Sequence, residues 1–194
     1  ISECLVGSEM CIRDSIKTDA ARLVSLVSDI IRLSQLDENT EMNWENVDAL
    51  SVAKEALEMV GPIAESRNIS LTIKGEPAPL NSVHKLLYDI IYNLCDNAVK
   101  YNKEGGFVKV DVKTAGDKVQ VAVSDNGVGI APADQSRVFE RFYRMDKSHS
   151  RESGGTGLGL SIVKHAVAYL KGSISLESTL GKGTTITVSF PAEK

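Results

Sequence analysis

The sequence predicts an α+β fold: a two-layer sandwich with helices on one face of a mainly antiparallel sheet, preceded by one bundle-type helix. Three observations lead there. Val108, Val110 and Val112, then Val119, Val121 and Val123, alternate with polar residues on either side of Ala115-Gly116-Asp117, the pattern of an antiparallel hairpin. Leu86, Leu87, Ile90, Ile91, Leu94 and Ala98 recur at three- and four-residue steps along Leu86–Asn102, the stripe of an amphipathic helix. Helical and strand patterns do not follow the strict βαβ order of a parallel sheet, so helices and strands belong to separate layers.

The elements follow in order. Residues 1–14, ISECLVGSEMCIRD, have no clean period and hold two of the three cysteines. They read as a non-native segment, like a translated sequencing adapter, and are set aside from the fold; the alternative is an irregular start to the next helix. Within 15–40, Ile16, Ala20, Leu23, Val27, Ile30 and Ile31 share a helical face that Leu26 and Leu33 widen. So broad a stripe needs partners on more than one side, as in a bundle. Asp37–Thr40 is a linker, and the main domain is expected over 44–194.

Trp44–Val47 reads as a short extended piece, and Asp48 as the N-cap of a helix reaching Ser66. Gly61-Pro62 predicts a kink or an early stop in it. Ile69, Leu71 and Ile73 alternate as a half-buried strand. Gly75–Pro79 is then a turn, Asn81 or Ser82 the cap of the central helix, and Gly105-Gly106 its close. After the hairpin, Pro132–Ser153 is polar, with basic residues at 137, 141, 144, 147 and 151, and reads as a functional lid or a loose segment. Phe139, Phe142 and Tyr143 are its candidate anchors, with simple core packing the alternative for the two phenylalanines. Leu160–Lys171 is a helix ended by Gly172. Ser173–Glu177 and Thr184–Phe190 complete the sheet around Gly181-Lys182-Gly183.

Composition narrows the function. The 194 residues carry a formal charge of −4, which gives no electrostatic case for binding nucleic acid. Apolar runs are far too short to cross a bilayer, and no signal-peptide pattern opens the chain. Cys4, Cys11 and Cys95 have no metal-ligand spacing, and an odd count speaks against a disulfide framework. The expectation is a soluble, intracellular segment.

The central helix also carries chemistry. Asn93 and Asn97 are four apart, so their carboxamides stack on one side, with Lys100 one turn further on. Such a face suits a hydrated metal with a polyphosphate, or merely faces water. Three glycine clusters, DNGVG, GGTGLG and GKGT, flank it in the chain. Glycine lets backbone amides approach phosphate oxygens, and helix N-termini add favourable partial charge. The duller reading is a strand-end turn, a helix start and a hairpin. A dinucleotide fold lacks its required strand before Gly154, and no G-x-x-x-x-G-K-[ST] loop is present.

The ordered set NLCDNAVKY, DNGVGI, FERFYR, GGTGLGL and GKGTTI resembles the ATP-binding catalytic domain of bacterial two-component sensor histidine kinases, over about residues 44–191. The wording around the lid most resembles phosphate- and cell-wall-responsive members. The resemblance implies the GHKL, or Bergerat, fold: helices over a mixed sheet, with ATP under a mobile lid. It implies that Asn97, with Asn93, coordinates Mg²⁺, and that Lys100 and Tyr101 contact phosphate oxygens. Asp125 would accept a hydrogen bond from the adenine amine, with Gly127 and Gly129 against the base. Gly155, Thr156, Gly157, Leu158 and Gly159 would hinge the lid and present amides to the phosphates, and Thr184 would reach the adenine through water. Arg144 would approach the γ-phosphate, so the catalytic set is Asn93, Lys100 and Arg144.

Related ATPases of the same fold, which hydrolyse ATP, carry a glutamate one turn before the metal-binding asparagine. Asn93 stands there and cannot take a proton; Asp96 points about 100° away around the helix and makes a poor base. The resemblance therefore implies a protein-histidine kinase that holds ATP for a protein acceptor, not a hydrolase. It further implies a homodimer through helices of which 15–40 is the second, a response regulator receiver domain as partner, and a cytoplasmic domain whose parent is anchored in the bacterial membrane. His84, His149 and His165 lack the phospho-acceptor context, so this segment is expected not to phosphorylate itself. The rival readings are a hydrolase or protein-serine kinase of the same fold, and a non-catalytic docking module.

Overall fold

The computed structural model describes residues 42–144 and 156–192, with residues 20, 23, 24, 26–31, 33 and 34. Residues 1–14 lie outside them, as do His149, Gly154 and Gly155. From residue 42 onward the described residues form β1 (Glu45–Asp48), α1 (Ala49–Ser66), β2 (Ser70–Gly75), β3 (Pro79–Ser82), α2 (His84–Lys100), β4 (Phe107–Ala115), β5 (Lys118–Asp125), α3 (Gly159–Tyr169), β6 (Ser173–Thr179) and β7 (Gly183–Pro191). The described residues within 20–34 are helical.

The main sheet has the order β2-β4-β5-β7-β6. Its strands pair antiparallel except β2 and β4, which run parallel. The register sets Ile73, Val110, Val123, Ile186 and Leu176 in one row across all five strands. Val112, Val121, Val188 and Ile174 form the next row. These rows face the helices, and one core runs from Val47 on β1 to Phe190 on β7. The α+β sandwich is thus as expected, and the mixed sheet matches what the resemblance implied.

Asp48 caps α1 by accepting from the amides of Leu50 and Ser51, and it also takes the amide of Ala78 at 2.7 Å. That last bond joins the helix start to the loop before β3. Pro62 does not stop α1, which continues to Ser66. The helix ends in a Schellman turn, with Asn68 at φ 54° and the Ile69 amide on the Ala64 carbonyl.

Several expected boundaries are corrected. Asn81 and Ser82 do not cap α2. They belong to β3, which pairs antiparallel with β1, and Val83 precedes the helix with no side-chain cap. The Ser82 hydroxyl is buried without a hydrogen-bond partner among the described residues. Gly105 and Gly106 do not close α2. Tyr101 does, and Arg67 reaches across to satisfy the terminal carbonyls, donating to Val99, Lys100 (2.9 Å) and Asn102 (2.8 Å). The left-handed residue after α3 is Lys171, at φ 56°, and not Gly172. Gly172 is a glycine for room: a Cβ there would stand 2.7 Å from the Phe190 ring.

The helical residues within 20–34 lean on the domain through Leu33, which is buried with Leu158 and Ile162, and through the half-buried Leu26. Leu23, Val24, Val27, Ile30 and Ile31 turn outward and are at least half exposed. The residues expected to widen the stripe are therefore the ones that face the domain.

Candidate nucleotide site

A cleft of about 320 Å³ lies between α2, the end of β5, the loop carrying Gly129, and the start of α3. Asn93, Asn97, Lys100, Tyr101, Asp125, Gly129, Arg144, Thr156, Gly157, Gly159 and Thr184 all line it. Residues from four distant stretches of sequence thus share one surface. Gly127 and Leu158 do not line it, and Gly155 lies outside the described residues.

Helix α2 supplies the first wall, because its apolar stripe is buried and its carboxamide face turns to the cleft. The Asn93 amide nitrogen donates to the Asp89 carbonyl at 2.7 Å, which fixes the flip of that carboxamide and leaves Oδ1 as the free end. A Cβ placed on Gly159 would come within 2.9 Å of this oxygen, so the helix start and the carboxamide are in close apposition. Helix α3 opens with no side-chain cap, and its first residues, Gly159 and Leu160, line the cleft, which brings the positive end of its dipole there. Lys100 Nζ meets Asp96 Oδ2 at 2.6 Å, one turn back on α2, and Asp96 also lines the cleft.

Asp125 forms the opposite end. Its Oδ1 accepts from the Gly127 amide at 2.8 Å. Burial pushes its carboxyl above the ordinary 3.8, while backbone hydrogen bonds from Gly127 and Thr184 pull the other way without prevailing. Around it Val123, Ile130, Val138 and Ile186 make an apolar wall fit for a flat ring. Thr184 Oγ1 sits 2.9 Å from Ser178 Oγ, whose hydroxyl also takes the Ile130 amide. The glycines here answer first to the chain itself. A Cβ on Gly127 would strike the Tyr101 carbonyl, and one on Gly129 (φ +67°) the Thr179 carbonyl.

The segment after Ile130 is held at its start. Gln135 donates to the Ile130 and Ser178 carbonyls, and Tyr143 donates to Asp134 at 2.6 Å with the Arg137 guanidinium 4.4 Å from its ring centre. Phe142 is not the expected anchor: it is 60% exposed, at φ 62°, and only its backbone is tied, to the Gly157 carbonyl. Among the described residues of this segment, Val138 is the buried side chain. His84 lies 3.5 Å from Glu55, and His165 contacts Arg141 and the Ser161 carbonyl, so both are engaged locally.

Sequence reasoning missed Asp29, which lines the cleft from the N-terminal helix, and Arg67, which braces the end of α2. No motif marks either one, since each acts through a partner distant in the chain. Among the described residues there is no group of three acidic, histidine or cysteine side chains able to hold a metal alone. The carboxamides of Asn93 and Asn97 could add oxygen ligands for a hard cation in the cleft.

A layered helix-on-sheet domain with an asparagine-lined cleft capped by a helix start defines a nucleotide-binding class of kinases and ATPases. Residues 82–194 match the model of the histidine kinase-, DNA gyrase B- and HSP90-like ATPase family, and the chain belongs to that family. Its sequence is 39% identical over 175 residues to the sensor-like histidine kinase SenX3 of Mycolicibacterium smegmatis, covering 89% of this chain and 46% of SenX3. The full-length ShkA structure in complex with AMPPNP matches with a TM-score of 0.79 at 27% identity, over 89% of this chain and 36% of ShkA. The mycobacterial sensor histidine kinase MprB matches with a TM-score of 0.68 at 29% identity, over 78% of this chain and 99% of that one. The domain is thus similar to sensor histidine kinases. The chain spans less than half the length of SenX3. Among the described residues no helix is long and apolar enough to cross a membrane.

Proposed function

We propose that the cleft binds Mg·ATP and that the intact protein transfers the γ-phosphoryl group to a histidine on a dimerisation helix, for relay to a response regulator receiver domain. In this reading residues 15–40 are the second helix of the dimerisation hairpin, 44–194 the catalytic domain, and the parent is anchored in the cell membrane. The observation that carries it is the gathering of Asn93, Asn97, Lys100, Asp125 and the open start of α3 around one cleft. The AMPPNP complex of the similar ShkA supports it.

Asp125 accepts from the exocyclic amine of adenine; guanine would set a carbonyl oxygen against the carboxylate, two acceptors facing each other. Asn97 and the outward Oδ1 of Asn93 are the oxygens that would hold Mg²⁺, a hard cation that keeps several waters and leans on substrate phosphates. When bound, the ion would neutralise charge on the phosphates. Lys100, Tyr101 and the amides of the Gly157–Gly159 turn meet the triphosphate, with Arg144 at the γ end, where charge develops during transfer. Asn93 accepts no proton, so water at the γ-phosphate finds no base there, and the phosphoryl group is kept for a protein acceptor.

The test is titration calorimetry with ATP and GTP in the presence of Mg²⁺. The native chain is expected to bind ATP and to discriminate against GTP. Asp125→Ala is expected to weaken ATP binding by about tenfold or more, the loss of a charge-assisted hydrogen bond. Retained affinity in that variant overturns the assignment, and steady phosphate release by the native chain would favour the hydrolase instead.

A further inference from the structure

The N-terminal helix reaches into the nucleotide cleft. Its residues 26, 29 and 33 fall on one face, the face that meets the domain. Leu33, with Leu26 beside it, seats that face on Leu158 and Ile162, and Asp29 then lines the cleft. Asp29 Oδ2 accepts from Thr156 Oγ1 at 3.0 Å. Thr156 Oγ1 in turn accepts from the Leu158 amide at 3.3 Å. The carboxylate therefore holds a hydroxyl, and the hydroxyl occupies an amide at the very start of α3. Thr156 and Gly159, on either side of Leu158 in this turn, line the cleft where a phosphate would lie.

We propose that Asp29 is a latch that makes docking of the N-terminal helix and binding of the triphosphate compete for the start of α3. The inference rests on the nucleotide reading of the cleft and adds its regulation. Two effects act in the same direction. A carboxylate at the cleft wall repels phosphate oxygens that enter beside it. A phosphate that takes the Thr156 hydroxyl, which lines the cleft, also leaves Asp29 without its partner. Leu158 links the two, since its side chain packs against Leu33 while its amide donates to the Thr156 hydroxyl that Asp29 holds. Whatever moves the helix then sets nucleotide affinity, and by linkage nucleotide loosens the helix.

The 194-residue chain, Asp29→Asn and Asp29→Ala are titrated with Mg·AMPPNP and with adenosine, which has no phosphate. Both variants are expected to bind AMPPNP about three- to tenfold more tightly, the worth of one such contact, and adenosine unchanged. Hydrogen exchange of the native chain is expected to speed up across residues 26–33 when AMPPNP is added. AMPPNP affinity unchanged or weakened in both variants, equal shifts for the two ligands, or slower exchange of the helix would each overturn the latch and leave the nucleotide reading in place. A native chain and variants that bind neither ligand would overturn the nucleotide reading, and the latch with it.

Discussion

Replacing Arg67 by alanine removes a side chain that reaches from the C-cap of α1 to brace the end of α2. Its guanidinium donates to the carbonyls of Val99, Lys100 and Asn102, in the last turn of α2 and just beyond it. Carbonyls there lack intrahelical partners, and a cation opposes the negative end of the helix dipole. Each bond to a charged donor is worth about 1.5–3 kcal/mol when isolated. Three bonds from one half-exposed side chain share a single ordering cost, and the carbonyls regain water once the arginine is cut back. We therefore expect a loss of about 2–3 kcal/mol in all. At about 2–4 °C per kcal/mol for a chain of this size, the melting temperature should fall by about 5–10 °C. Urea unfolding followed by circular dichroism measures the first quantity and a thermal melt the second. Arg67→Lys keeps the charge but not the planar fork, and should recover less than half of the loss. Lys100 and Tyr101 sit at the braced end, so ATP affinity should weaken even well below the melting temperature. A loss under about 0.5 kcal/mol, or full rescue by lysine, would refute the brace.

Further outcomes follow from three single residues. Burial raises the Asp48 carboxyl, but hydrogen bonds from Ser51, Ala78 and Leu50 outweigh it and hold the group below 3.8. Asp48→Ala should cost about 1–2 kcal/mol at neutral pH. That gap is present above 3.8 and should close as pH falls through the folded value, which melts across a pH series will show. Asp125 has the opposite sign: its carboxyl is raised, so ionising it costs the fold. Asp125→Asn should therefore raise the melting temperature at neutral pH, with the advantage fading below 3.8, while nucleotide binding drops. In the native chain ATP affinity should begin to decline on acidification at a pH above 3.8, because the carboxylate must be ionised to accept the adenine amine. Asn97→Ala should weaken only the Mg²⁺-dependent part of nucleotide binding; equal losses with and without metal in calorimetry would count against its role.

Elements whose signal is local were legible in the chain. Two-residue alternation with a glycine turn placed β4 and β5, and Gly116 takes the left-handed φ of 64° that such a turn requires. Asp48 was legible as a cap because capping is a matter of two or three residues. β3 escaped notice because the four residues PLNS carry no period, and their status as a strand depends on β1, over thirty residues away. The parallel pairing of β2 with β4 across α2 was equally invisible. Phe142 misled for a related reason: an aromatic side chain in a polar stretch suggests an anchor, yet backbone geometry turned it outward and left burial to Val138.

The sequence by itself determined the layered α+β class, the central helix and the strands of the hairpin, and the asparagines, glycines and one aspartate from which a nucleotide site was expected. Periodicity and motif spacing are written in neighbouring residues, and hydrophobic burial reads them out wherever the chain folds. Only the tertiary structure decided that Arg67 braces the end of α2, that the motif glycines are crowded by carbonyls of other segments, and that Asp29 meets Thr156. These contacts join residues far apart in the chain, and their energy depends on distance and orientation in space, which sequence order does not encode.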